Sequence, residues 1–236
     1  MEFYVVIPAR FDSSRFPGKV LSKIGGKSML EHVFLNAKKS NAKEVYIATD
    51  SKAVYEEARK FTDTVIITSN LNKNGTERVA ELAKSFKWGK KTLVINVQAD
   101  MPQLKHDNID YLAKVAKGNE GLSTLYYPLK SDTLLTDKNT VKIMINNGVI
   151  SFHREINNYE SEEIYKHIGI YAYYVKDLLI YLKYPQSVNE KSLSLEQYRF
   201  LDNNFNISPY LAVSDPGISV DSIDNINDIN GVNIWI

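Results

Sequence analysis

"FYVVIPARFDSSRFPGK", residues 3–19, is the stretch that decides the fold. Its first seven residues are a continuous apolar run of buried-strand type, and they pass directly into a loop that carries Arg10, Arg15 and Lys19 and ends in Pro17-Gly18. A strand with no polar face belongs inside a sheet covered on both sides. The next segments keep that pattern. "SMLEHVFLNAKKS" (28–40) places Met29, Leu30, Val33, Phe34 and Ala37 at helical spacing. "EVYIATD" (44–50) and "TVIIT" (64–68) read as short buried strands, with "SKAVYEEARKF" (51–61) as a helix between them. "TERVAELAKSF" (76–86) predicts a helix capped by Thr76, and "KTLVINVQ" (91–98) another strand. This alternation implies a largely parallel sheet that binds ligands at the carboxyl ends of its strands, which puts the Arg10 loop at a binding edge.

Beyond about residue 120 the rhythm changes. "GLSTLYYPL" (121–129), "TVKIMIN" (140–146) and "VISF" (149–152) read as strands, and "NNG" at 146–148 is a hairpin signal between the last two. "SLSLEQYRFLDNN" (192–204) reads as one helix, "SPYLAVS" (208–214) as a strand, and a last short helix follows Ser222. The second half reads as a mixed extension packed on the first.

Composition narrows the function. The chain has 236 residues, 44% of them hydrophobic, enough for a substantial core. With 29 Lys+Arg against 28 Asp+Glu the net charge is +1, so neither nucleic acid nor a membrane is expected as a partner, and any cationic site must be local. The absence of cysteine excludes disulfides and thiolate metal sites. No leader or membrane-length apolar stretch is visible, and a cytoplasmic protein is expected.

Three cations and a glycine after the first strand suit a phosphate chain, although a solvated basic loop has the same charge. The loop lacks both G-x-G-x-x-G and the P-loop pattern, which disfavours oxidoreductase and P-loop ATPase readings. Asp100 ends the strand in "NVQAD", and Asp221 lies in "SVDS" before the last helix. Either alone reads equally well as a turn former or helix cap. Two such carboxylates opposite a cationic loop suit magnesium and a nucleotide.

Read together, "IPARFDSSRFPGK", "NGTERVAE", "NVQADMP", "NTVKIMIN", "YKHIGIYAYY", "SLEQYRFL" and "SVDS" resemble, in order and over nearly the whole chain, the motifs of the 3-deoxy-manno-octulosonate cytidylyltransferases, the CMP-Kdo synthetases. The resemblance implies an α/β, Rossmann-like nucleotidyltransferase fold of the nucleotide-diphospho-sugar transferase type, with a mixed central sheet and a mixed extension. Residues 1–236 would form a single domain, with a nucleotide-binding half at about 1–120 and a sugar-binding and dimerisation half at about 121–236. The implied reaction joins CTP to the 2-keto sugar acid Kdo, giving CMP-Kdo and pyrophosphate for lipopolysaccharide assembly. The implied cofactor is Mg²⁺ on Asp100 and Asp221, and the implied assembly is a homodimer. Two alternatives remain open: the same chemistry on a related acid such as 8-amino-Kdo, and a nucleotide-binding homologue without catalysis.

By the same resemblance Arg10, Arg15 and Lys19 hold the triphosphate and, with Asp100, form the catalytic set. Arg78 and Gln98 match positions near the cytosine, although Gln98 reads equally as a buried strand amide. Arg154, His167, Tyr171, Glu196 and Gln197 match the sugar-acid positions, with the two cations suited to the C1 carboxylate and Glu196 and Gln197 to hydroxyls. The plain alternatives are a satisfied strand histidine, a sheet tyrosine and a surface helical carboxylate. His32, His106 and His153 receive no role. The chain departs from the family at "QADMP", where Gln-Gly-Asp-Glu-Pro is usual: Ala99 replaces a glycine that keeps space near base or phosphate, and Met101 an acid beside the metal. "SFHREINNY" (151–159) keeps Arg154 but lacks the expected prolines.

Overall fold

A computed structural model describes residues 2–12, 16–146, 148–157 and 163–231. Arg15, Asn147 of the expected hairpin turn, and the end of "SFHREINNY" lie outside the described residues. The first half runs β1 (Phe3–Ala9), a small ribbon of β2 (Lys23–Ile24) and β3 (Lys27–Ser28), α1 (Met29–Lys38), β4 (Glu44–Thr49), α2 (Lys52–Ala58), β5 (Val65–Ile67), α3 (Gly75–Ser85), β6 (Leu93–Val97) and α4 (His106–Val115). The second half adds β7 (Leu122–Pro128), β8 (Lys142–Asn146), β9 (Val149–His153), β10 (Glu163–Tyr174), α5 (Val175–Tyr181), α6 (Val188–Leu193), α7 (Tyr198–Leu201), β11 (Ile207–Leu211) and α8 (Ile223–Gly231).

Among the described residues nine strands form one sheet, in the order β11-β7-β10-β6-β1-β4-β5, with β8 paired to β10 and β9 to β8. Strands β6, β1, β4 and β5 are parallel, as the strand-helix alternation requires. The mixed character comes from β10, which is antiparallel to both β6 and β7. Val5 and Ile7 of β1 pack with Leu30, Val33 and Phe34 of α1 and Leu112 of α4. Val6 faces the opposite way, with Val79 and Leu82 of α3 and Leu178 of α5. Period-two side chains of one apolar strand thus feed two cores, one on each face. The expected α/β class with a mixed sheet is what the chain forms.

Two local expectations change. Asn74, not Thr76, caps α3: its Oδ1 accepts the Glu77 N–H at 2.9 Å. Asn-x-x-Glu is a capping-box pattern, and the Glu77 carboxylate reaches back to the Lys73 N–H at 2.7 Å. The helix expected over 192–204 is broken into α6 and α7. Ser194 adopts a left-handed conformation (φ 53°) as the C-cap of α6, which turns the chain before Leu195 and leaves Glu196 and Gln197 on the connection into α7. No helix among the described residues is long and apolar enough to cross a membrane.

Candidate functional site

The carboxyl ends of the parallel strands deliver Arg10 after β1, Asp50 after β4 and Gln98 after β6 to one edge of the sheet. Strand β10 extends that edge. Ile170 pairs with Val97, the last residue of β6, so residues 163–169 run on past β6 and pair instead with β7 and β8. The overrun forms a wall above Gln98. Gly169 faces Gln98 from this wall, where a Cβ would lie in van der Waals contact, 3.4 Å from the Gln98 Cγ. A cleft of about 910 Å³ opens between this wall, the α3 N-terminus, the α6–α7 connection and the segment 215–222. Its lining includes Gln98, Asp100, Arg154, His167, Tyr171, Glu196, Gln197 and Asp221.

At the near end Lys19 joins both expected metal carboxylates. The Phe11 carbonyl accepts the Gly18 N–H at 2.7 Å and closes the loop, and Gly18, at φ 70°, turns the chain so that Lys19 starts a short 3₁₀ turn. The Lys19 Nζ lies 2.7 Å from Asp100 Oδ2, 3.3 Å from Asp221 Oδ1 and 2.9 Å from the Val220 carbonyl. Asp221 is brought there by the backbone, since the Val220 N–H donates to the Asp100 carbonyl at 2.9 Å. Burial alone would lower the Lys19 pKa; the two carboxylates outweigh it and hold the ammonium above its ordinary value. Arg10 donates to the Asn72 carbonyl. Burial, then the neighbouring Arg78, hold the Arg10 pKa below the usual arginine value, so its charge is incompletely compensated.

Arg78 is fully buried and lies outside the lining of this cleft. It donates to Asp50 Oδ2 at 2.6 Å, to the Thr68 hydroxyl and to the Ser69 carbonyl, so NH1 and NH2 are spent inside the protein. It braces the ends of β4 and β5 instead of presenting a free guanidinium to a base. Ala99 is buried in the core and Met101 packs with it, so neither departure in "QADMP" places bulk between Asp100 and Lys19.

At the far end the side chains hold one another. The Glu196 Oε2 accepts the Thr76 N–H at 2.9 Å, an unpaired donor in the first turn of α3. Burial pushes the Glu196 carboxyl above the usual range, and the Thr76 bonds and Arg10 only partly oppose it. This is a half-buried acid rather than a solvated surface one. Tyr171 donates to Gln197 Oε1 at 3.2 Å, while the buried Gln197 Nε2 finds no partner among the described residues. The Arg154 guanidinium donates at 3.1 Å to each of three carbonyls, those of Leu193, Lys138 and Ser194. Two of these are freed by the end of α6, so Arg154 fastens the break that positions Glu196.

His167 departs from its expected cationic role. Its Nε2 lies 3.0 Å from the Thr124 hydroxyl, which donates to the Ile170 carbonyl at 2.8 Å. With its one proton committed, Thr124 accepts from the imidazole, which fixes Nε2–H and leaves Nδ1 as an acceptor. Burial, with Arg154 nearby, pushes the imidazole pKa down to about 3. The ring is therefore neutral near pH 7.

Sequence reasoning passed over Asp50, Asn74 and Lys166, and took Thr76 only as a helix cap. The capping box could have revealed Asn74; the Asp50 pairing and the Thr76 N–H depend on distant segments and leave no local signal.

The chain as a whole has counterparts among known proteins. A sequence profile described as cytidylyltransferase matches residues 4–207. The 3-deoxy-manno-octulosonate cytidylyltransferase of Legionella pneumophila (strain Paris) is 35% identical over 224 residues, 91% of this chain and 89% of that protein. The enzyme of the same name from Leptospira interrogans (serovar Lai) is 37% identical over 225 residues, 92% of this chain and 90% of that one. Among solved structures, a CMP:2-keto-3-deoxy-manno-octonic acid synthetase complexed with CTP superposes with a TM-score of 0.86 at 30% identity, covering 98% of each chain. A 4-diphosphocytidyl-2C-methyl-D-erythritol synthase from Anaerococcus prevotii shares the fold at a TM-score of 0.61 and 14% identity. With a family profile matching residues 4–207 and identity above 30% across nine-tenths of its length, this chain belongs to the 3-deoxy-manno-octulosonate cytidylyltransferase family.

Proposed function

We propose that the protein transfers the cytidylyl group of CTP to the anomeric hydroxyl of 3-deoxy-manno-octulosonate, releasing pyrophosphate and forming CMP-Kdo for lipopolysaccharide assembly. The observation that carries this reading is the Lys19 ammonium joined to Asp100 and Asp221 at one end of a cleft whose other end holds Glu196, Gln197 and Tyr171. In the reaction the sugar oxygen forms a bond to the α-phosphorus, the bond from that phosphorus to the bridging oxygen breaks, and the hydroxyl proton leaves to solvent. Such a displacement needs positioning and charge stabilisation more than a protein nucleophile.

Arg10, Arg15 and Lys19 hold the triphosphate, and Lys19 opposes the charge that gathers on the leaving pyrophosphate. Gln98 reads the base edge from the end of β6, and Arg78 braces the neighbouring strand ends through Asp50 and Thr68. Arg154, His167, Tyr171, Glu196 and Gln197 line the sugar end, where the free Gln197 Nε2 offers a donor to a hydroxyl. The donor set fits Mg²⁺: two carboxylates drawn around one positive charge, beside space for phosphate oxygens, with no thiolate or imidazole among them. Asp100 and Asp221 would hold that ion, which when bound stabilises negative charge on the phosphates. The protein works in the cytoplasm as a homodimer joined through the second half, which light scattering checks.

Pyrophosphate release from CTP with Mg²⁺ and a panel of sugar acids tests the reaction. Turnover with Kdo above 8-amino-Kdo and above neutral hexoses is expected. Release with none of them would overturn the assignment, and preference for the amino sugar would replace the substrate.

A further inference from the structure

The cations lining the cleft differ in what holds them. Lys73 and Lys191 are exposed at its mouth, and Lys130 is exposed and paired with Asp215 at 2.6 Å. The three Arg154 nitrogens are bonded to backbone carbonyls. His167 is uncharged near neutrality. Lys166 is different. It sits on the overrun of β10, and its Nζ donates to the Gly217 carbonyl at 2.9 Å with no carboxylate in ion-pair contact among the described residues. An ammonium carries three donors, so two remain. Burial holds its pKa below the ordinary lysine value, and Asp215, which is engaged by Lys130, only partly opposes this. A largely desolvated charge without a counter-ion is costly, and a ligand anion removes that cost.

We propose that Lys166 is the carboxylate-recognition residue of the sugar acid, a role the family resemblance implied for Arg154 and His167. This rests on the reading of the cleft as a site for a 2-keto sugar acid. In such a sugar the carboxylate is bonded to the carbon that bears the reacting hydroxyl, so its cation must stand close to the metal-side acids. Lys166 lines the same cleft as Asp100 and Asp221, and it is bonded to Gly217, the start of the segment that leads to Asp221. That segment is fixed independently: the Ile218 N–H donates to Gln103 Oε1 at 2.9 Å and the Val220 N–H to the Asp100 carbonyl at 2.9 Å. Removing the Lys166 charge therefore leaves the metal-side acids anchored.

The test compares wild type, Lys166→Met and Lys166→Arg for turnover of Kdo and of its C1 carboxamide. The Michaelis constants for Kdo, CTP and Mg²⁺ are determined separately, and Kdo binding is measured by calorimetry with a non-hydrolysable CTP analogue present. In Lys166→Met, Kdo should bind roughly 10- to 100-fold more weakly, as expected for losing a hydrogen-bonded charge, with the CTP constant within about twofold. The acid-to-amide preference should collapse, and Lys166→Arg should restore part of it. If wild type turns over Kdo but Lys166→Met keeps the acid-to-amide preference, or loses CTP and Mg²⁺ affinity equally, Lys166 is a strap for Gly217 and this inference alone fails. If wild type neither binds nor turns over any sugar acid, the reading of the cleft fails and this inference with it.

Discussion

The Glu196 carboxylate accepts the backbone N–H of Thr76 at 2.9 Å, so an acid from the last quarter of the chain completes the first turn of a helix from the first half. The contact ties the sugar end of the cleft to α3, the helix that also carries Arg78 against Asp50 at the end of β4. It sets up a conflict between stability and function. Burial raises the Glu196 pKa, so the folded state holds its proton to higher pH than the unfolded chain does. Its contribution is most favourable at pH values below the unfolded pKa and is lost as pH rises through the folded one.

Glu196→Gln should therefore raise Tm near pH 7.5 by roughly 2–4 °C, with a smaller gain near pH 4, while Gln still accepts the Thr76 N–H. Turnover of Kdo should fall at least tenfold. Thermal melts at the two pH values check the first part and steady-state kinetics the second. An unchanged melting point at both pH values would mean that the carboxylate is not desolvated.

His167 carries the opposite linkage. Its folded pKa lies at about 3 against an ordinary 6.5, so the unfolded state binds more protons across that window and stability falls as pH drops below 6.5. The loss should reach about 2 kcal/mol at pH 5. His167→Gln should flatten that slope between pH 6.5 and 5 in denaturant titrations. An equally steep slope in the variant would show that the imidazole titrates normally.

Lys19→Met should lower kcat by roughly 10²-fold or more while changing the CTP Michaelis constant much less, because charge moves onto the leaving group only in the transition state. Lys19→Arg should not restore full activity, since a planar fork cannot occupy the position of one ammonium between two carboxylates. The raised Lys19 pKa makes its stabilising contribution complete below the unfolded lysine value of 10.5 and lost only as pH climbs through the folded one. The difference in stability between wild type and Lys19→Met should thus be flat from pH 7 to 10. A variant altered only in its CTP constant would mark Lys19 as a ground-state binding residue.

Asp100→Asn and Asp221→Asn should each abolish most turnover at low Mg²⁺ while Tm moves by only a few degrees, since neither side chain belongs to the core. Calorimetric titration of Mg²⁺ with a non-hydrolysable CTP analogue should show weaker binding in both. Near wild-type turnover at low Mg²⁺ in both variants would remove the metal from these residues.

Arg154→Met should free the Leu193 and Ser194 carbonyls and cost about 1–3 kcal/mol in stability. Because the break before Glu196 loosens, the Kdo constant should rise more than the CTP constant. Equal increases in both would indicate a general loss of structure instead.

Much of this was legible from the chain. The parallel half could be read from apolar runs separated by helical spacing, because each of its strands is covered on both faces and each helix shows one buried stripe. Asp100 could be nominated because strand ends in such sheets converge, and Lys19 and Asp221 through the motifs that carry the family resemblance. What stayed hidden was set by partners distant in sequence. Nothing near Ser194 indicates that it takes a left-handed turn or that Arg154, 40 positions earlier, fastens it. Arg78 reads as an accessible cation until Asp50 is seen 2.6 Å away. The neutrality of His167 depends on its burial and on Arg154 nearby, and the isolation of Lys166 on which carboxylates fail to reach it.

The position of β10 also dictates an order of assembly. Strands β6 and β7 are consecutive strands in the chain, yet β10 lies between them, so the sheet cannot close until residues 163–174 have been synthesised. A nascent chain that has reached only β9 holds β6 with one unpaired edge, a template for pairing with other chains. Such late, non-local insertion is slow relative to local helix formation. Chains truncated before Glu163 should therefore engage chaperones or aggregate, whereas those ending beyond Tyr174 have the strand that fills the gap.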